Sequence, residues 1–296
     1  MKPSKLIAAP HLREPWGHPG DGKVIVHSTL SDIKGTTPLK KENLGELDHR
    51  KPLYKAAKYQ NDMDAAVQLV DECVCEEKIE LVVEHVASAI TQSSQTPRIV
   101  FPHSAFDDED GDGGAAVETG EISNAIPFAL AGYMAGILGG EIETDVVQAA
   151  RVSRTKLNTF TRFLWQPKFD GLIRERHPYV IVDDVATNGG TLAALRGHII
   201  RNGGTVVCCT VLAHTKGKDV DFAVSADTLT DLRLCFGDGI GEYWKDTIGH
   251  ELHCLTDAEG KKLIEWADQN CVSKRGTLER LHDLGERIVK AAATGQ

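Results

Sequence analysis

The 296-residue chain has few aromatic residues, 6% of the total, and no long hydrophobic run. A membrane-spanning helix needs about 18 or more consecutive apolar residues, so we expect no membrane partner. The first residues lack the apolar segment of a secretory signal, and the net charge of −10 disfavours broad nucleic-acid binding. The seven cysteines, an odd number, suggest reduced thiols. These features together predict a cytoplasmic protein.

Two common nucleotide-binding motifs are missing. The chain has no glycine-rich loop ending in Gly-Lys-Thr, and no G-x-G-x-x-G turn of the dinucleotide-binding kind. Any phosphate site must therefore be of another type.

The strongest local pattern occupies residues 180–191. An apolar, β-branched run predicts a buried parallel strand, and it ends in the adjacent carboxylates Asp183 and Asp184. A small polar turn follows, and Leu192, Leu195 and Ile199 then repeat at helical spacing. The order is therefore strand, acidic pair, turn and helix.

This order predicts an anion site, because backbone N–H groups and the helix dipole converge at a helix N-terminus. We assign phosphate binding to six consecutive residues: Ala186, Thr187, Asn188, Gly189, Gly190 and Thr191. The glycines are expected to let a phosphate approach the backbone. Asp183 and Asp184, at the carboxyl end of the strand, would accept from vicinal hydroxyls or hold Mg²⁺.

These residues resemble the signature of type I phosphoribosyltransferases, which bind 5-phosphoribosyl 1-pyrophosphate (PRPP). The resemblance implies that Asp183 and Asp184 bind the ribose hydroxyls and that the turn binds the 5′-phosphate. It departs from the family at Asn188, usually Thr, and at Thr187, where the hypoxanthine-type enzymes carry Asp. The acceptor base therefore stays open.

The resemblance implies an Mg²⁺-dependent enzyme that transfers 5-phosphoribosyl from PRPP to an acceptor nitrogen, expected to be that of a nucleobase, and releases pyrophosphate. It also implies a homodimer. The alternative is a non-catalytic, regulatory module of the same fold that binds PRPP or a nucleotide.

A basic segment follows a stretch, 104–150, that contains no Lys or Arg. A local positive cluster in an acidic chain attracts anionic substrates, and members of the family close a loop here over pyrophosphate. We therefore predict that Arg154 and Lys156 act on the pyrophosphate as catalytic residues, although a solvated charged surface is the alternative.

The apolar residues Met63, Val67, Val70 and Val74 recur at helical spacing and predict a helix, and Glu141 to Gln148 is expected to form a strand. The alternation of strand-like and helix-like segments predicts a doubly wound, mostly parallel sheet. We expect a phosphoribosyltransferase-like core over 95–235. The flanks, 1–94 and 236–296, would form a hood, the second of them helical.

Two metal sites are weaker alternatives. Asp108, Asp110 and Asp112 fit the start of a calcium-binding loop, but Thr119 stands where that loop needs Glu. His250 and His253 lie three residues apart, whereas the zinc-protease motif separates its histidines by four. The role of the acidic insertion, 107–121, stays open.

Overall fold

The computed structural model describes residues 13–17, 22–36, 49–103, 124–148, 166–270 and 274–293. Its strands are β1 (Lys23–Thr29), β2 (Arg98–Val100), β3 (Glu141–Glu143), β4 (Val147–Gln148), β5 (Phe169–Asp170), β6 (Pro178–Ala186), β7 (Thr205–His214) and β8 (Val220–Asp221). Its helices are α1 (Leu30–Ile33), α2 (Arg50–Tyr59), α3 (Met63–Cys73), α4 (Glu76–Ser93), α5 (Ile126–Leu138), α6 (Gly190–Arg201), α7 (Ala226–Phe236), α8 (Ile240–Ile248), α9 (Asp257–Asn270) and α10 (Lys274–Ala293).

Six strands form one mixed α/β sheet in the order β3-β2-β6-β7-β1-β8. Every pair is parallel except β1 with β8. The connection from β2 through α5 leads to β3, whereas β6 through α6 leads the other way, to β7. The chain therefore reverses its direction along the sheet between β2 and β6, which is where ligands of open α/β sheets bind.

Helices cover both faces of this sheet, as a doubly wound architecture requires. On one face, Leu130 and Met134 of α5 pack with Val180 of β6. On the other, Leu195 and Ile199 of α6 pack with the neighbouring strand side chains. The continuous apolar run of β6 is explained by this double coverage.

A third apolar cluster, the C-terminal cluster, joins α7, α8, α9 and α10 around the fully buried Trp244. The predicted core boundary at 235 falls inside the last turn of α7, whose Leu232 and Phe236 belong to this cluster. At the other end, β1 lies within the main sheet although the sequence places it in the flank.

One local strand prediction is wrong, and one local helix prediction is confirmed. The segment 141–148 is not one strand, because a bend at Asp145 turns Val146 into the core and β4 then pairs antiparallel with β5. The helix predicted near Met63 exists, but Met63 and Val67 are 38% and 54% exposed. Its buried face carries smaller residues: Ala65, Ala66, Leu69, Val70 and Cys73.

Candidate functional site

The acidic pair lies at the carboxyl end of β6, beside the end of β2. Asp184 is buried, and its Oδ2 accepts hydrogen bonds from Lys58 Nζ and from Asn124 Nδ2, the latter at 3.1 Å. Lys58 belongs to α2, and Asn124 precedes α5. Three segments therefore meet at Asp184, at the point where the sheet reverses direction.

Asp183 is in a different electrostatic position. Burial raises the pKa of its carboxyl well above the ordinary value, and the charge of Asp184 and a hydrogen bond with that side chain raise it further. The charge of Lys58 lowers the pKa of Asp183, but by less than burial and Asp184 raise it. The Asp183 carboxyl therefore holds a proton more readily than an isolated aspartate does, and a cation in the proton's place would relieve the same repulsion.

The turn after β6 ends in Gly189, whose φ of +75° is the left-handed conformation that glycine adopts readily. Helix α6 begins at Gly190, and its first turn is closed by Ala193 N–H donating to Gly189 O at 2.8 Å. The N–H groups ahead of that bond point out of the helix end. Thr187 is exposed and Asn188 half-buried, so this end of the turn reaches solvent.

The space behind both glycines is occupied by protein. A methyl group on Gly189 would lie 2.8 Å from the ring of Phe222, and one on Gly190 would lie 2.5 Å from Glu259 Oε1. The sequence-based reason for these glycines was the approach of a phosphate. Their packing gives a different reason: the positive φ of Gly189 and the close contact of the turn with the C-terminal segments.

Hydrogen bonds from both ends of the chain also reach the turn. From the C-terminal part, Thr256 Oγ1 donates to Asn188 O at 2.5 Å, and from the N-terminal part, Arg13 Nη2 donates to Gly190 O at 3.3 Å. Arg13 and Glu259 form a buried bidentate ion pair, with N···O distances of 2.6 and 3.0 Å. Burial works against ionisation of Glu259, but the charge and hydrogen bonds of Arg13 hold its pKa below the ordinary value.

In the structure, Asp183, Asp184 and the turn 186–191 lie together at one edge of the sheet. The predicted catalytic residues Arg154 and Lys156 lie outside the described residues, as does the acidic insertion 107–121.

Sequence reasoning missed four contributors to this region: Lys58, Asn124, Arg13 and Thr256. All four come from segments distant in sequence, and no local spacing signals Lys58, Arg13 or Thr256. Asn124 has a local signal, because its place just before an apolar helical run favours a role at a helix start.

The described residues give little indication of a metal site formed by protein side chains alone. The described residues contain no group of three or more His, Cys, Asp or Glu that could hold a metal ion. His250 is fully buried, and its Nε2 lies 2.9 Å from Gln166 Nε2, which is an ordinary structural contact. Two carboxylates still suit Mg²⁺, which is usually held by one or two of them together with substrate oxygens.

Comparison with known proteins gives two sequence relatives, and no protein-family model matches the chain. Protein TraN of Escherichia coli is 33% identical over 221 residues, which are 75% of this chain and 44% of TraN. An uncharacterized protein of Haemophilus influenzae is 40% identical over 78 residues, or 26% of this chain and 17% of the relative. The chain thus matches less than half the length of either relative.

Among solved structures, adenine phosphoribosyltransferase from Thermoanaerobacter pseudethanolicus matches 50% of this chain and 73% of its own, with 17% identity and a TM-score of 0.26. A likeness at that score carries no argument about function. Within the described residues, no helix combines the length and apolar character needed to cross a membrane.

Proposed function

We propose that the chain binds a 5-phosphoribosyl ligand at 183–191 and transfers the phosphoribosyl group from PRPP to an acceptor nitrogen, releasing pyrophosphate. One observation carries the proposal: a carboxylate pair and a glycine turn that opens a helix share the point where the sheet reverses direction. Hydroxyl acceptors beside a phosphate cradle match a ribose phosphate. The sequence resemblance supports the same ligand class.

The turn and the carboxylates have separate roles in this proposal. The N–H groups at the start of α6 and the side chains of Thr187 and Asn188 bind the 5′-phosphate. Asp183 and Asp184 accept from the ribose hydroxyls and fix the orientation of the sugar. Because positive charge develops on the ring as the leaving group departs, carboxylates beneath it favour that state. Arg154 and Lys156 are proposed to act on the pyrophosphate.

Mg²⁺ is the proposed cofactor, and the carboxyl pair fits it. Burial and the charge of Asp184 raise the pKa of the Asp183 carboxyl, and a divalent cation beside it would favour the ionised form. Asp183 is the better ligand, because Lys58 and Asn124 already bond to Asp184. When bound, the ion neutralises charge on the pyrophosphate. The chain's own residues position the sugar.

A binding module without catalysis is the second candidate, and one contact favours it. Lys58 and Asn124 both donate hydrogen bonds to Asp184 without any ligand. This carboxylate therefore has a structural role that does not depend on catalysis.

Calorimetry with ribose 5-phosphate and PRPP tests the site. Asp184→Asn should weaken binding by about 1–3 kcal/mol, the scale of a lost charged hydrogen bond, while Asp268→Asn, on an exposed part of α9, should leave it unchanged. Equal affinity of a folded Asp184→Asn protein would contradict the ribose assignment.

Pyrophosphate release then separates the two candidates. PRPP is incubated with Mg²⁺ and with purine, pyrimidine or nicotinate-type acceptors in turn. Release that depends on one acceptor supports the transferase, and binding without release under all acceptors supports the module.

A further inference from the structure

We infer that Thr256, backed by the Arg13–Glu259 ion pair, is a positioning residue that holds the turn 187–191 in its anion-binding form. This inference rests on the proposed function of that turn. Thr256 lies 68 residues from the turn in sequence, and its side chain is fully buried between the turn and α9.

Thr256 is itself held from both sides. Its N–H donates to Glu259 Oε2 at 3.0 Å, and its Oγ1 accepts from Glu259 N–H at 3.1 Å. The hydroxyl proton is thereby left for Asn188 O, which it reaches at 2.5 Å. This reciprocal arrangement is a capping box at the start of α9, in which the capping hydroxyl also serves the turn.

The Arg13 guanidinium fixes a second point. It pairs with Glu259 through two hydrogen bonds, and Nη2 reaches Gly190 O at 3.3 Å. The same carboxylate therefore orients both the donor to Asn188 O and the donor to Gly190 O. Arg13 is completely buried, so the pair has no solvent to replace a lost partner.

Planarity of the peptide bond converts these contacts into a direction for the N–H groups. In a trans peptide the C=O of one residue and the N–H of the next point in opposite directions. Thr256 draws the Asn188 carbonyl toward the C-terminal cluster, which aims the Gly189 N–H away from it. Arg13 does the same for the Gly190 carbonyl and the N–H that follows. Two peptide planes are thus set by residues outside the turn.

Thr256→Val tests this role, because valine keeps the shape and removes the hydroxyl. Thr228→Val is the matched control. Thr228 is also a buried threonine, in helix α7, and its Oγ1 donates to Asp257 Oδ1 at 2.6 Å rather than to the turn. Thr256→Ser restores the hydroxyl. All variants are made in the full chain, and their urea unfolding is measured alongside.

Two readouts are required. Amide hydrogen exchange of residues 187–192 in ligand-free protein should be about tenfold faster in Thr256→Val than in the parent. Ribose 5-phosphate should bind about tenfold more weakly, the consequence of losing one buried hydrogen bond. Thr228→Val should change neither, even where it lowers stability, and Thr256→Ser should restore both.

Unchanged exchange in Thr256→Val overturns the inference, and so does faster exchange with unchanged affinity. An equal effect of Thr228→Val would also overturn it, since the role would then be general stability. A parent chain that binds no ribose 5-phosphate refutes the proposed function instead, and the exchange data alone then decide whether Thr256 holds the turn.

Discussion

The acidic pair and the phosphate turn adjoin each other at the end of β6, but their electrostatics differ. In the turn, the carbonyls of Asn188 and Gly190 are bonded from behind, and the nearby charges of Arg13 and Glu259 neutralise one another. In the acidic pair, Lys58 forms an ion pair with Asp184, whereas the pKa of the Asp183 carboxyl is raised.

The difference indicates which half of the site is complete without a ligand. The turn is preorganised, so an anion binding there would require little rearrangement. The Asp183 carboxyl carries electrostatic strain that a cation would relieve. Breaking the turn should therefore lower the stability of the protein, whereas neutralising Asp183 should raise it.

The largest effect should come from Glu259→Gln. The substitution leaves the Arg13 guanidinium buried without its counter-charge, and breaking a buried pair from one side costs about 3–5 kcal/mol. Urea unfolding should show this loss in the free energy of unfolding.

The control is Lys245→Met, which breaks the ion pair with Glu251 at 2.7 Å between two exposed side chains. Exposed pairs contribute little, so its unfolding midpoint should stay near that of the parent. Equal losses in the two variants would remove the distinction drawn for the buried pair.

A smaller loss is expected from Gly189→Ala. The left-handed backbone costs an L-residue about 1–2 kcal/mol, and the new methyl group would meet the Phe222 ring at 2.8 Å. We expect a destabilisation of about 2 kcal/mol or more, with weaker ribose 5-phosphate binding by calorimetry.

Gly132→Ala in α5 should instead raise the stability of the protein. Nothing lies within 4 Å of its added methyl group, and alanine stabilises a helix interior by about 0.5–1 kcal/mol relative to glycine. A Gly189→Ala protein as stable as the parent would mean that the turn tolerates a side chain and is less constrained than its contacts indicate.

The sequence predicts the turn better than its supports. Strand, acidic pair, turn and helix follow one another without interruption, so local periodicity and the Gly189-Gly190 pair suffice to predict β6 and α6. Thr256 and Arg13 reach the turn only through tertiary packing. A buried ion pair between residues 246 positions apart has no local signature.

Helix periodicity also has a physical limit. Helix α3 is predicted from large apolar residues at helical spacing, but its buried face holds Ala65 and Ala66, which allow close packing against neighbouring helices. Small residues contribute weakly to an apolar pattern. The apolar pattern does not predict helices α7 and α8, which lie in the C-terminal cluster next to the turn.

Of the three changes at the site, Asp183→Asn should have the smallest effect, and it should raise the stability rather than lower it. The pKa of Asp183 is raised in the folded protein, so the folded state binds this proton more tightly than the unfolded state does. The resulting stability is present below the ordinary carboxyl pKa of 3.8 and is lost as the pH rises through the raised value. Asparagine cannot ionise, so the variant should be more stable than the parent at neutral pH, by about 1 kcal/mol.

Thermal unfolding at a series of pH values measures this gain, with Asp268→Asn as the exposed control. The difference between parent and Asp183→Asn should grow from acid toward neutral pH. Mg²⁺ with ribose 5-phosphate should then raise the melting temperature of the parent more than that of the variant, because only the parent keeps the charge that a cation neutralises. If Asp183→Asn is less stable than the parent at neutral pH, the strain lies elsewhere, and the contrast between the two halves of the site is lost.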